Sequence, residues 1–374
     1  MRTLSLPFYV KLAFVLIILL CLGYIAIIGQ RIFIPLLFSF LFAVLLLPLS
    51  NFLEKKFRFP RSASSIVSVL LFITALALIM YFMGLQLASL SDDWPLLKTQ
   101  MNTLFHDSQG WIAKHLHIGM QKQLNYINNA TDDLMNSGTT ILGKTVLSLS
   151  STLLFFIFIF LYTFFILFHR TLLVRFVTVA FSEQYAPVIA EIIGQIKMII
   201  RSYIVGLFLE MAIVSIIGIV VFLLLGVKYA FLLGLIIGVF NVVPYVGIFS
   251  AILISVLVSF ATSGPSPALY VAFCGIGIHL IDSNFIMPRV VGSHVKINPL
   301  FVVLGVVTGE MIWGIPGMFL ALPYLAIIKV IFDRVDGLRP WGILLGEEER
   351  LPQKSKPLQR WMKKKPRPIR GKSD

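Results

Sequence analysis

The sequence predicts an all-α, polytopic integral membrane protein with about eight hydrophobic segments. Hydrophobic residues make up 58% of its 374 residues and charged residues only 13%. A soluble domain usually carries about 25% charged residues, so this chain lacks the charged shell that a soluble fold needs. The apolar residues also occur in long runs, and because backbone groups inside a bilayer must pair within their own segment, helices are expected.

The hydrophobic runs follow one another closely along the chain. A spanning helix needs about 20 residues, and most of the runs are near this length. The first run follows Lys11 as a signal peptide would, but no small-residue cleavage site comes after it, which favours a retained helix. The eight runs are Leu12–Ile28, Ile32–Leu49, Ala63–Leu90, Val146–Phe168, Tyr203–Val227, Ala230–Ala261, Ala268–Met287 and Leu300–Phe332.

Positive charge in the short loops predicts the orientation in the membrane. One cluster follows the second run and another follows the fourth, so both stretches are expected on the cytoplasmic side, together with both termini of a cell (inner) membrane protein. The residues are Lys55, Lys56, Arg58 and Arg61 in the first cluster, and Arg170, Arg175, Lys197 and Arg201 in the second. The same rule places the polar stretch between them outside.

The pattern divides the chain into four regions. Residues 1–90 hold the N-terminal transmembrane helices, and 91–145 form an extracytoplasmic polar insertion with short interfacial helices. Residues 146–333 form the transmembrane core, with a cytoplasmic amphipathic helix near 187–202, and 334–374 form a basic, disordered cytoplasmic tail. Of 31 Lys and Arg residues, 13 lie between Lys329 and Lys372, and contact with anionic lipid is favoured there over contact with nucleic acid.

Two runs, Ala230–Ala261 and Leu300–Phe332, are long for one crossing and short for two. Each is interrupted near its middle by proline and glycine. Proline removes a backbone hydrogen bond and glycine loosens a helix. Interrupted helices in transporters often surround a binding site, although a kink needed only for packing would leave the same pattern. Each run either crosses once, giving eight passes, or folds back, giving six. The candidate path residues at the breaks are Asn241, Pro244, Tyr245 and Gly247, and Gly314 and Gly317.

Three of the 17 acidic residues lie well inside apolar runs: Glu210, Asp282 and Glu310. A carboxylate in hydrocarbon is costly, so each should face a cavity, pair with a partner or take up a proton. Asp282 is the main candidate, because Asn284 and Arg289 follow it closely. These residues form either a cluster that binds solute or exchanges a proton, or an ion pair that holds the fold together.

The sequence contains no convincing enzyme signature. It has no P-loop, no pair of zinc-binding histidines on one helix and no nucleophile elbow. Cys21 and Cys274 lie in apolar runs without metal-ligand spacing. We therefore expect no catalytic site, no metal and no cofactor. Transport of a small molecule or ion is the favoured function, and an intramembrane enzyme or a scaffold is the alternative.

Several ordered motifs in the C-terminal half resemble the autoinducer-2 exporter (AI-2E) family, also called a permease-like family of unknown function. They are Tyr203–Gly206, Gly226–Gly234, Asn241–Gly247, Asp282–Gly292, Asn298–Leu300 and Gly314–Pro323. The resemblance implies a multi-pass efflux transporter that forms a homo-oligomer in the lipid bilayer. Some members of this family are linked to autoinducer-2 export and others to sodium–proton exchange, and both functions remain open for this chain.

Overall fold

The structure is a computed structural model that describes residues 7–92, 99, 153–181, 183–243, 246–290 and 297–347. Within these residues the only extended pairing is one antiparallel bridge between Ile297 and Gly346, and nearly everything else is helical. The predicted all-α class is therefore confirmed. Most of the polar insertion at 91–145, the tail beyond residue 347, and Pro244 and Tyr245 lie outside the described residues.

Thirteen α-helices are described. In chain order they are α1 (Phe8–Ile28), α2 (Gln30–Lys56), α3 (Arg61–Asp92), α4 (Leu153–Phe168), α5 (Arg170–Ala180), α6 (Ala186–Leu224), α7 (Ala230–Phe240), α8 (Val246–Ser263), α9 (Pro265–Ile281), α10 (Met287–Val290), α11 (Pro299–Trp313), α12 (Ile315–Arg334) and α13 (Arg339–Leu345). A π-helical turn, Asp282–Ile286, joins α9 to α10. The amphipathic segment expected near 187–202 is the first part of α6, which continues unbroken to Leu224.

Five helical segments are long and apolar enough to cross a membrane: Gln30–Lys56, Arg61–Leu90, Glu183–Leu224, Pro265–Val290 and Ile315–Arg334. A sixth arises if α4 and α5, which meet at a 68° bend, form one span. Four shorter apolar helices accompany them, so the predicted number of about eight segments is approximate. Both long runs are divided into two helices, because each interruption ends one helix and begins another.

Helices α2 and α6 lie at the centre of the packing. One apolar core joins them to α12 through residues that include Leu41, Ile200, Ile204 and Leu320. A second core joins α2 to α3 and α4, and a third joins α6 to α7, α8 and α9. Because α6 contributes to two of these cores, it connects the two interrupted regions of the chain.

Small residues bring α6 and α7 together. Gly218 on α6 faces Gly234 on α7, where a Cβ on Gly218 would lie 3.0 Å from the Gly234 Cα. One turn further along α7, a Cβ on Gly238 would overlap the Ser215 hydroxyl and lie 2.6 Å from the Met211 carbonyl oxygen. In lipid, helices associate largely through such close packing, so these glycines fix how α6 and α7 lie against each other.

The second interrupted run folds back on itself. Gly314 has a φ of +63° between α11 and α12, a backbone conformation that glycine adopts readily. Gly309 then lies against Gly317, and Gly305 against Leu325, so the two helices run antiparallel. The Trp313 indole donates to the Ala26 carbonyl at 2.9 Å and places the end of this hairpin beside α1. A single crossing by Leu300–Phe332 is therefore not what the structure contains.

The two predicted positive loops meet at one end of the helices. Arg170 donates to the Glu54 carboxylate at 2.6 Å and to the Ser50 hydroxyl at 3.2 Å. Arg61 donates to the Thr171 hydroxyl at 2.9 Å. The loop after α2 and the junction of α4 and α5 therefore lie on the same side.

The hairpin makes a testable prediction. Gly317→Ala should lower thermal stability, because the new methyl group would overlap the Gly309 carbonyl oxygen, and overpacking of this kind costs about 1–3 kcal/mol. Gly277→Ala on α9 is the matched control, since nothing lies within 4 Å of the added Cβ. The control should be as stable as the parent or slightly more stable, because alanine favours helix by about 0.5–1 kcal/mol.

The measurement is the unfolding midpoint of the detergent-purified protein, followed by size-exclusion chromatography after heating. Equal midpoints for the two variants would show that the contact between Gly309 and Gly317 does not hold α11 and α12 together.

Candidate functional site

Three polar residues from different helices meet inside the bundle. Glu210 lies in the middle of α6, Asn241 directly follows α7, and Asp282 is the first residue of the π-helical turn after α9. Glu210 is 4% exposed and Asp282 is 3% exposed. We call these three residues the polar cluster.

The Asn241 side chain connects the two acids. Its Nδ2 atom donates to Oε1 of Glu210 at 3.0 Å and to Oδ2 of Asp282 at 2.8 Å. One oxygen of each carboxyl group therefore lies within 3.0 Å of the same nitrogen atom. The second oxygen of Asp282, Oδ1, is buried and has no hydrogen-bond partner among the described residues. The cluster thus has a free acceptor position that a proton or a polar ligand could occupy.

Local backbone geometry places each of these side chains. Asn241 follows the last turn of α7, and its amide nitrogen still donates to the Ile237 carbonyl at 3.2 Å. The chain then makes a tight turn in which a Cβ on Gly247 would overlap the Phe240 carbonyl oxygen. Asp282 stands where α9 widens into a π-helical turn, a feature that is frequent at functional sites. Both residues therefore lie where regular helix ends.

His279 is a third titratable side chain, after Glu210 and Asp282, and lies beside the cluster. It lies one turn before Asp282 on α9, close enough to interact with it electrostatically. Its Nδ1 atom is buried without a partner in the described part of the chain, and the Phe249 ring lies 6.2 Å from the imidazole. A buried imidazole nitrogen without a partner is uncommon, so Nδ1 of His279 is a second unsatisfied polar atom close to the cluster, after Oδ1 of Asp282.

The other predicted site residues lie away from the polar cluster. Asn284 is exposed and donates to the Leu280 carbonyl at 2.8 Å. Arg289 is also exposed, and the ion pair with Asp282 considered from the sequence is not found among the described residues. Asp282 instead accepts from Asn241. Glu310 is exposed near the end of α11.

The first break contributes directly to the cluster, whereas the second lies elsewhere. Asn241 belongs to the cluster and Gly247 to the turn behind it, while Pro244 and Tyr245 are outside the described residues. Gly314 and Gly317 shape the hairpin of α11 and α12, which packs on α2 and α6. No hydrogen bond joins that hairpin to the cluster in the residues that the structure describes.

Similarity to known proteins extends over most of the chain. A model described as the AI-2E family transporter matches residues 14–337. YueF of Bacillus subtilis (strain 168) is 26% identical over 337 residues, which cover 88% of this chain and 89% of YueF. YrrI of the same organism is 25% identical over 313 residues, covering 81% and 86%. The AI-2 transport protein TqsA of Escherichia coli (strain K12) is 24% identical over 322 residues, covering 85% and 90%.

The hydrogen bonds of Asn241 generate a second prediction. Asn241→Leu keeps a similar volume but leaves one oxygen of each acid without its donor, and an unsatisfied buried group costs about 1–3 kcal/mol. The unfolding midpoint in detergent should fall. Asn284→Leu is the control, because Asn284 is exposed and bonds only within its own turn. A variant of Asn241 that unfolds no earlier than the variant of Asn284 would mean that Asn241 does not hold the acids together.

Proposed function

The chain belongs to the AI-2E transporter family, and from this premise we propose that it is a secondary exporter that couples the movement of a small solute to proton movement through Glu210, Asn241 and Asp282. The observation that carries the proposal is the burial of two acids on one shared amide donor. A transporter that is driven by protons needs a group within the membrane that can gain and lose a proton, and a carboxyl group can do this.

Two carboxylates placed this close together in an apolar interior repel each other. One shared proton removes that repulsion, as it does in pairs of carboxyl groups in other proteins. We propose that the cluster holds one proton when the three helices are closed around it. Loss of that proton leaves two negative charges beside one amide, which favours separation of the helices and access of water or solute.

The structure around the cluster suits such a movement. The turn after α7 and the π-helical turn after α9 interrupt regular helix beside Asn241 and Asp282. Glu210, in contrast, lies within the continuous helix α6. A change in charge would therefore act on two ends of regular helix and on one continuous helix. The two states would differ in the contacts that proton and solute make, which is what coupling requires.

The nature and direction of the solute are proposed from the relatives. TqsA is named as an AI-2 transport protein, and on that basis we propose a small polar solute similar to autoinducer-2, moved outward. The positive loops that meet through Arg170 and Glu54 support cytoplasmic termini in the cell membrane. A homo-oligomer, implied by the resemblance, is part of the same proposal.

Proton coupling makes a third prediction. Asp282→Asn and Glu210→Gln each keep the shape of the side chain but remove the group that exchanges a proton. Both variants should fold, yet flux driven by a pH gradient should fall to the level of protein-free liposomes. Glu310→Gln is the control, since it removes an exposed acid outside the cluster and should transport like the parent.

The measurement is uptake or release of solute by proteoliposomes under imposed pH and sodium gradients, with oligomer size checked by chromatography. Flux driven equally well by a sodium gradient in the parent would favour sodium–proton exchange. Normal flux in both variants of the cluster would show that Glu210 and Asp282 hold the fold together and that the transport path lies elsewhere.

A further inference from the structure

A cleft of about 650 Å³ runs between α2 and α6, apart from the polar cluster. The residues of α6 that line it recur at spacings of three and four, so they form one face of the helix over about three turns. Val290, at the end of α10, closes one side. The lining residues on α2 are Val44, Leu47, Pro48 and Asn51, and those on α6 are Lys197, Met198, Arg201, Ser202, Val205, Gly206 and Leu209.

A second cavity, of about 520 Å³, continues this cleft toward α4 and α5. The two cavities share Val44, Leu47, Asn51 and Lys197 in their walls. The second cavity adds Arg170 and Arg175 to the basic residues present. Together the two cavities form one groove around Lys197, bordered by α2, α4, α5 and α6 and closed on one side by Val290 of α10.

The positive charges in this groove are not all balanced. Arg170 is paired with Glu54. Lys197 is half-buried, and neither it nor Arg201 has a hydrogen bond or an ion pair with any residue in the described ranges. Lys197 lines both cavities and the exposed Arg201 lines the first, so both side chains are available to pair with an anion that enters the cleft.

The opposite end of the cleft is apolar. Val205 and Leu209 form its wall there, and their side chains are about half exposed. In a membrane protein, an exposed apolar helix face is in contact with lipid tails. The cleft therefore combines a basic end with an apolar end that opens sideways toward the bilayer.

We propose that this cleft binds an anionic phospholipid. Its headgroup phosphate would lie between Lys197 and Arg201, with the Asn51 and Ser202 side chains beside it, and one acyl chain would lie along Val205 and Leu209. The charge fits, because a guanidinium and an ammonium group bind phosphate well. The shape also fits, because the polar and apolar ends of the cleft follow the order of groups in a phospholipid.

Binding at this place would act on the polar cluster through α6. Leu209 lines the apolar end of the cleft, and Glu210 is the next residue of the same continuous helix. A lipid seated along Val205 and Leu209 would therefore hold the part of α6 that carries Glu210. This consequence rests on the proposed function, whereas lipid binding itself does not.

The test measures lipid bound to the purified full chain. The protein is delipidated in detergent and titrated with phosphatidylglycerol or with phosphatidylcholine, and bound lipid is counted by native mass spectrometry. The parent should retain phosphatidylglycerol in preference to the zwitterionic lipid. The double variant Lys197→Gln with Arg201→Gln should retain at least about tenfold less phosphatidylglycerol, because each basic residue near a lipid surface adds to the attraction.

The control removes the same charge from the same end of the molecule. Lys55→Gln with Lys56→Gln changes two basic residues at the end of α2 that line neither cavity. This variant should retain phosphatidylglycerol like the parent. Equal loss in both double variants would mean that the attraction is only general surface charge and would overturn the proposal.

A third variant keeps every charge and fills the apolar end of the cleft. Val205→Trp should also reduce retention of phosphatidylglycerol. If the Lys197 and Arg201 double variant elutes as aggregate, Val205→Trp becomes the test of lipid binding in the cleft. Normal retention in Val205→Trp would overturn the placement of the acyl chain. Competition by soluble glycerol phosphate as effective as that by phosphatidylglycerol would overturn lipid as the ligand and leave a site for soluble phosphate.

Discussion

The close approach of α6 and α7 is the contact on which the polar cluster depends. Gly218, Gly234 and Gly238 allow the two helix backbones to meet without intervening side chains. A bulkier residue at Gly238 would push α7 away from Met211 and Ser215, which follow Glu210 by one and five residues on α6. Asn241, which follows α7, could then no longer reach Glu210. Because lipid gives helices no hydrophobic reason to associate, packing between small residues has to provide this precision.

Two members of the polar cluster lie where regular helix ends. A side chain within an unbroken helix is fixed relative to its neighbours, but Asn241 and Asp282 lie at irregular turns. Irregular backbone at membrane depth survives only where it is buried in protein or lines a cavity. The two acids are buried, and their shared donor comes from the first interruption. The interruption after α7 therefore places the amide donor that the two buried acids share.

The sequence predicted the fold class and the family well, because both depend on signals local to the chain. Apolar runs predicted helices, Pro and Gly predicted both interruptions, and the resemblance in motifs is confirmed by the family match over residues 14–337. Glu210, Asn241 and Asp282 were each predicted as candidate residues, but their contact with one another was not. Asn241 lies 31 residues from Glu210 and 41 from Asp282, and no local pattern reveals that they meet. Arg289 shows the opposite error, since nearness in sequence suggested a pairing that the described structure does not contain.

Helix α6 contributes to the cleft, to the packing on α12, to the polar cluster and to the contact with α7. Its residues between Lys197 and Leu209 line the basic cleft. Ile200 and Ile204 pack against α12, Glu210 belongs to the cluster, and Gly218 meets α7. Because α6 is one unbroken helix of 39 residues, all of these contacts belong to a single element. A change in charge at Glu210 would therefore be felt both at the cleft and at the hairpin of α11 and α12. In the proposed mechanism, the hairpin at the second interruption would then respond to Glu210 through α6, without contact between Gly314 or Gly317 and the solute.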